Sequence, residues 1–174
     1  MYETPEEVAA LQTLLDRSYA GATEHLKGII NDQRRLTAED LVALLTGMRV
    51  LAVATVTAAG EPRVSALDGH FLHGTWSFST SGSSAKASHL RARPVVSVAH
   101  IDNEELAVFS HGRVTELAKT DSDYDEILDH WIRHYDSSPL DWGPDVRMYR
   151  YAPEWMVGYA FQRDEVLRKR GIPS

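Results

Sequence analysis

The chain contains no cysteine, which removes disulfides, thiolate metal ligands and thiol nucleophiles from its chemistry. No run approaches the ~20 consecutive apolar residues of a membrane-spanning helix, so no membrane partner is expected. The opening residues, Met1-Tyr2-Glu3-Thr4-Pro5-Glu6-Glu7, are acidic where a secretory signal would be basic and then apolar. A cytoplasmic protein is expected. Basic residues are in deficit, 18 against 25 acidic ones for a formal net charge of −7. That balance argues against a nucleic-acid partner, which would need a basic surface to neutralise phosphates. There is no internal repeat, linker or low-complexity tract.

What is present suits one globular domain, since 174 residues suffice to bury about two-thirds of the unfolded surface without staples. Val8, Leu11, Leu14 and Leu15, then Leu26, Ile29 and Ile30, recur at helical spacing and predict two short helices that part near Gly21. In "LTAEDLVALLTG", Thr37 caps an acidic first turn and Gly47 is the expected C-cap of a third helix. From Arg49 the period changes to two. "RVLAVATVT", "RVSALDGHF" and "TWSFSTS" read as a three-strand antiparallel meander joined by turns such as "AAGEP". A short helix from Ser84 to Arg91 follows, stopped by Pro94. "VVSVAHI", "ELAVFSHGRVTEL" and "VRMYRYAPEWMVGYAF" supply three more strands, with Gly112 marking a bulge or a close approach. An amphipathic helix over "DSDYDEILDHWIRHYDSS" lies between the last two. The expectation is a small β-barrel with helical attachments.

The loop "FSTSGSSAKASHLRARP" carries the clearest chemical signal. A Ser/Thr/Gly-rich loop that ends at a helix N-terminus offers free backbone N–H groups and a favourable dipole to an anion, with phosphate the obvious candidate. Ser81, Ser83 and Ser84 can donate hydroxyl bonds, Gly82 lets backbone approach, and Lys86 adds a point charge. The plainer alternative is a capped helix with a solvated lysine.

The order strand, "GEPRVSALDGHF", strand, this loop, strand, "HGRVTEL" resembles the pyridoxamine 5′-phosphate oxidase-like split β-barrel family, with its flavin and deazaflavin oxidoreductase branches, over about Leu41 to Phe161. The resemblance implies a fold that is mainly β with α, a six-stranded antiparallel split barrel (the FMN-binding split barrel) with flanking helices. It divides the chain into an N-terminal helical extension (1–36), a cofactor-binding barrel (37–165) and a C-terminal tail (166–174). It places Arg63, Val64, Ser65 and Ala66 along the ring system and ribityl chain. Ser79, Thr80, Ser81, Ser84 and Lys86 fall to the phosphate, and Trp155 near the cofactor of a partner subunit, with core or dimer-interface packing as the plainer reading of that tryptophan. The cofactor implied is FMN, with the deazaflavin coenzyme F-420 as alternative, because "AKASHLRARP" also resembles the Lys-x-x-x-Leu-Arg-x-x-Pro run of the deazaflavin branch. Arg91 and Arg93 would be second contacts for a long acidic tail. Founding members of the family carry an arginine where this chain has Ala85 and a glutamine near Ala107, so true pyridoxamine phosphate oxidase activity is not expected.

The function implied is a homodimeric oxidoreductase, its cofactor at the subunit interface, acting on a small-molecule substrate. The alternative is a non-catalytic flavin- or haem-binding protein for storage, sensing or haem breakdown. No catalytic side chain is assigned and no metal site is expected. His130 and His134 read as surface or interface residues. His70, His100 and His111 read as pointing outward or into an interface by strand alternation. Trp131 and Trp142 read as structural. The N-terminal helices are expected to pack on a dimer and narrow the cofactor mouth, or simply to stabilise the barrel.

Overall fold

A computed structural model describes residues 2–172. Met1, Pro173 and Ser174, which belong to the expected extension and tail, lie outside the described residues. Helices α1 (Pro5–Ala20), α2 (Glu24–Ile29) and α3 (Ala38–Leu44) precede strands β1 (Met48–Val56), β2 (Pro62–Leu72) and β3 (Thr75–Ser81). Helix α4 (Ala85–Ala92), strands β4 (Val95–Asp102) and β5 (Leu106–Glu116), helix α5 (Tyr124–Tyr135), strand β6 (Val146–Ala160) and helix α6 (Arg163–Lys169) complete the chain. The six strands close into an antiparallel barrel in the order β1-β2-β3-β6-β5-β4.

Local sequence explains where the helices begin. Thr4 and Thr37 each form a reciprocal capping box, with Glu7 and Asp40 respectively, and Thr23 and Ser84 cap α2 and α4. α3 ends at Leu45 rather than at the expected Gly47, which instead takes φ +73 as the chain turns into β1. Helix α6, which no periodicity in so short a run announced, buries Val166 and Leu167. The expected tail therefore begins inside a helix.

Alternation sorts the strands into an inner and an outer row. Leu51 and Val53 of β1, Phe78 of β3, Val98 of β4 and Tyr151 of β6 fill the barrel, while Leu36, Leu41 and Leu44 join the same core from the N-terminal side. Leu11 and Leu15 of α1 belong to that core too, and Ser18 Oγ accepts the Met156 N–H of β6 at 3.0 Å. Helix α1 is thus an integral flank of the barrel, packed on β6 and α3, and its Leu11 and Leu15 stabilise the chain's own core.

Two irregularities shape the barrel. Between His111 and Gly112 the β5–β6 register shifts, and a Cβ at Gly112 would collide with the Ala152 carbonyl. β2 pairs with β3 only from Gly69 to Leu72, against Thr75 to Phe78. Beyond that, residues 62–68 stay with β1 and Ser79 to Ser81 stay with β6, so the two strands part and leave a gap. Helix α4 lies against β1 and β3, tied to β1 by a 3.0 Å bond between His89 Nδ1 and Thr55 Oγ1.

Candidate functional site

The gap between β2 and β3 gathers most of the residues that the sequence singles out. On the β3 side, Thr80 Oγ1 and Ser84 Oγ are 3.3 Å apart, and Ser81 Oγ and Ser83 Oγ 2.8 Å apart. Four hydroxyls therefore cluster at the start of α4. Ser84 also accepts the Ala87 N–H at 3.1 Å as the helix cap. Ser79 lies in the same stretch of β3, half-buried opposite Met148 of β6. Lys86 lies in the first turn of α4, half-buried. Among the described residues no carboxylate lies within ion-pair distance of it.

On the β2 side, Arg63, Val64 and Ala66 are exposed and Ser65 is half-buried. By register with β1, Val64, Ala66 and Asp68 share the outer row, opposite Ala54, Ala52 and Val50. Ser65 and Leu67 point the other way. Arg63 donates to Glu61 Oε2 at 2.6 Å and to the Pro62 carbonyl at 2.9 Å, so its guanidinium folds back over the β1–β2 turn.

Two expectations about the loop change. Gly82 gives close approach, but to protein: its N–H donates to the Asp145 carbonyl at 2.7 Å, and a Cβ there would strike the Asp145 carboxylate. Arg147 holds that carboxylate from the other side at 2.7 Å. Arg91 donates to the Gly82 carbonyl at 3.0 Å, so it braces the loop from within instead of waiting for a cofactor tail. The loop is held from both sides, leaving its hydroxyl face to receive a ligand.

Trp155 is not brought to this loop. It stacks on exposed His111, ring centroids 4.8 Å apart at 18°, and His111 Nδ1 lies 2.9 Å from Ser97 Oγ. That shelf adjoins an apolar hollow of about 180 Å³ lined by Ala52, Ala54, Val64, Ala99 and Phe109 among others. Ala107 is buried on β5 and Ala85 is exposed at the start of α4.

The histidines divide more sharply than alternation alone suggests. His100 is corrected: it points inward, 7% exposed, bonded through Nδ1 to the Val50 carbonyl at 3.1 Å. Burial pushes its pKa down. His70 follows Asp68 on the outer row of β2, yet α5 covers it to 1% exposure. Its Nδ1 lies 3.0 Å from His130 Nε2, and its Nε2 lies 3.1 Å from Tyr135 Oη. Burial first, then the neighbouring His130 and His134, push its pKa down to about 3. Burial, followed by the nearby Asp68 charge, pushes Tyr135 up to about 12. Trp131 is buried against His70, whereas Trp142 is 47% exposed and stands edge-on to Tyr135 at 4.7 Å. The network escapes sequence reasoning because its members come from positions 2, 70 and 130–135, and no local pattern joins them.

The residues at the gap suit a flavin-type phosphate: clustered hydroxyls, the N-terminal N–H groups of an eight-residue helix and a lysine with no carboxylate partner among the described residues all favour an anion. Among the described residues no group of three or more His, Asp or Glu converges as metal ligands would.

The sequence profile of the pyridoxamine 5′-phosphate oxidase family matches residues 37–157, from the cap of α3 to near the end of β6. No curated protein matches the chain. Among solved structures, the haem storage protein HutZ from Vibrio cholerae superposes with a TM-score of 0.56 at 18% identity, over 64% of this chain and 86% of that one. A pyridoxamine 5′-phosphate oxidase-related, FMN-binding protein from Nostoc punctiforme gives 0.51 at 20%, over 63% and 73%. An F420 reductase gives 0.51 at 22%, over 66% and 93%. At these identities the likeness shows a shared fold.

Proposed function

The chain belongs to the pyridoxamine 5′-phosphate oxidase family, and from that premise we propose that it is a homodimeric split-barrel oxidoreductase acting on a small organic substrate with FMN, or alternatively coenzyme F-420, as cofactor. The observation that carries this reading is the gap between β2 and β3, with its four-hydroxyl cluster and, at the head of α4, Lys86, which has no carboxylate partner among the described residues. When bound, the cofactor supplies the two-electron redox chemistry that no side chain of this cysteine-free chain provides. The chain's own work is to hold and orient. Thr80, Ser81, Ser84 and Lys86 take the phosphate, with Ser79 beside them, and Val64 and Ala66 offer an apolar bed to a flat ring system. Ser65 lines the same strand, and Arg63 is released from Glu61 to meet the ligand's polar chain. Ala85 and Ala107 lack the polar groups of the founding enzyme, so its activity is not proposed.

A second copy completes the site. The outer face of β1, β2 and β4 leaves Val50 at 56%, Val64 at 70%, Val95 at 50% and Ile101 at 58% exposure, a largely apolar surface with Asp68 beside Val50, on a chain of net charge −7. The same face carries the proposed ring-binding residues Val64 and Ala66. It continues to the Trp155–His111 stack, which is remote from the loop of its own chain. Dimerisation across it buries the patch and brings Trp155 to the partner's cofactor.

The test is an absorption spectrum of the purified protein with mass spectrometry of any released ligand, followed by titration of the stripped chain with FMN and F-420. Micromolar or tighter binding of one of them is expected. Failure of both to bind refutes the proposal, and a coloured protein that never turns over points to storage or sensing.

A further inference from the structure

An unbroken line of partly buried hydrogen bonds runs between α5 and β2, on the strand that carries the proposed cofactor groove. Tyr2 Oη lies 2.9 Å from His130 Nδ1, His130 Nε2 lies 3.0 Å from His70 Nδ1, and His70 Nε2 lies 3.1 Å from Tyr135 Oη. Both nitrogens of both imidazoles are engaged, so neither ring has a lone pair left for a metal. Tyr2 marks the outer end. It is partly exposed, lines a cavity of about 270 Å³ with Thr46, Gly47 and His130, and accepts from Arg133 Nη2 at 3.2 Å. Tyr135 marks the inner end. It bonds His70, whose neighbours along the outer row of β2 are Asp68 and then Ala66.

We infer that Tyr2, His130, His70 and Tyr135 form a proton relay that connects the solvent at the N-terminus to the groove beside Ala66 and Asp68. The inference rests on the cofactor reading for its destination, since that groove is where the ring system is placed.

The geometry allows two chains of opposite polarity, both free of charged imidazole. In one, Tyr2 O–H donates to His130 Nδ1, His130 Nε2–H to His70 Nδ1, and His70 Nε2–H to Tyr135 Oη, leaving the Tyr135 hydroxyl proton directed to the groove. In the other every bond is reversed. Passing between them moves one proton in at Tyr2 and one out at Tyr135. Each group gives up one proton and gains another, and no electrons move. A proton returned in the other half of a redox cycle resets the line.

Neutral passage matters because His70 is 1% exposed and charging a buried imidazole is costly. The groups facing it reinforce this. His130 bonds to it, the His134 ring lies 5.0 Å away, Arg133 adds positive charge near Tyr2, and Asp68 is its neighbour on the outer row of β2. With Tyr135 held protonated, it serves as a hydroxyl donor to the groove. His70 and His130 act through Tyr135 and are positioning residues.

The competing explanation is a static lock that ties the N-terminus and α5 to β2. The two differ in sign. Histidine ¹⁵N spectra of the cofactor-free full chain report ring tautomer, and solvent exchange of the His70 ring proton reports transfer. The relay predicts averaged, two-tautomer shifts for His70 and His130, and exchange of the His70 proton despite its burial. Tyr2→Phe and Tyr135→Phe each remove one oxygen and keep the ring. Together they should freeze a single tautomer and slow exchange at least tenfold, with either single variant slowing it in part. A static lock predicts one tautomer from the outset, and faster exchange once the end hydroxyls are gone. Either result overturns the relay, and the wild-type tautomer decides even if the double variant does not fold. Bound FMN or F-420 with a single frozen tautomer would overturn the relay alone. Exchanging tautomers in a chain that binds neither would overturn the cofactor reading, and with it the relay's destination.

Discussion

Lys86 and His70 show how single residues acquire meaning from what surrounds them. Lys86 shares its turn with the Ser84 cap and has no carboxylate partner among the described residues, so its charge is available to an anion. Losing a charge-assisted phosphate contact costs about 1.5–3 kcal/mol, which is roughly a ten- to hundredfold loss in affinity. Titration of Lys86→Ala with FMN and F-420 should show that loss for the cofactor the protein uses, and unchanged affinity for both would remove Lys86 from the site. His70 carries a prediction about stability. Its folded pKa is depressed to about 3, below an unfolded value near ~6.5. Its contribution is therefore present above pH ~6.5 and is lost as pH falls toward 3, because the unfolded chain takes up the proton first. Burial shifts His100 and His130 in the same direction. Chemical denaturation should find the protein less stable at pH 5.5 than at 7.5, by on the order of 1 kcal/mol from His70 alone. The dependence should be shallower in His70→Gln, and a flat profile in the wild type would contradict the burial argument.

At the scale of elements, α1 is the most informative. Its apolar spacing is legible in the sequence, but its destination is not. Leu11 and Leu15, 4% and 3% exposed, join the barrel core, and Ser18 satisfies the Met156 N–H. Leu11→Ala and Leu15→Ala should each cost about 2–5 kcal/mol, read as a fall in denaturation midpoint, without changing substrate range. A variant of normal stability but broader substrate acceptance would mark α1 as a border of the cofactor mouth. The segment between α5 and β6 illustrates the same point. Asp145 and Trp142 carry no motif, yet Asp145 packs on Gly82 and Trp142 on Tyr135, which links the β3–α4 loop to the histidine line.

For the whole molecule, the outer face of β1, β2 and β4 sets the expectation. Four large aliphatic side chains at half exposure or more suit an interface above about 1,000 Å² in total. Light scattering should give twice the chain mass of 19.5 kDa. Val64→Glu or Val95→Glu should shift the particle toward one chain, and weaken cofactor binding as the site loses its second half. A wild-type particle of one chain mass at micromolar concentration would refute the dimer.

The sequence by itself determined the strand count, the antiparallel meander, the cap at Thr37 and the irregularity at Gly112. Each depends on neighbours within a few residues, where period, capping and steric constraint act. Tertiary structure alone decided which faces are covered. Alternation places His70 outward, and only α5 seals it. His100 reads as outward or interfacial in the sequence, and the closed barrel puts it inside, on the inner row of β4 with Val96 and Val98. The gap between β2 and β3 arises because their pairing stops at Gly69 and Phe78 while each strand continues with a different neighbour. The Tyr2–His130–His70–Tyr135 line joins positions up to 133 residues apart, and such proximity comes from packing the whole chain around one core.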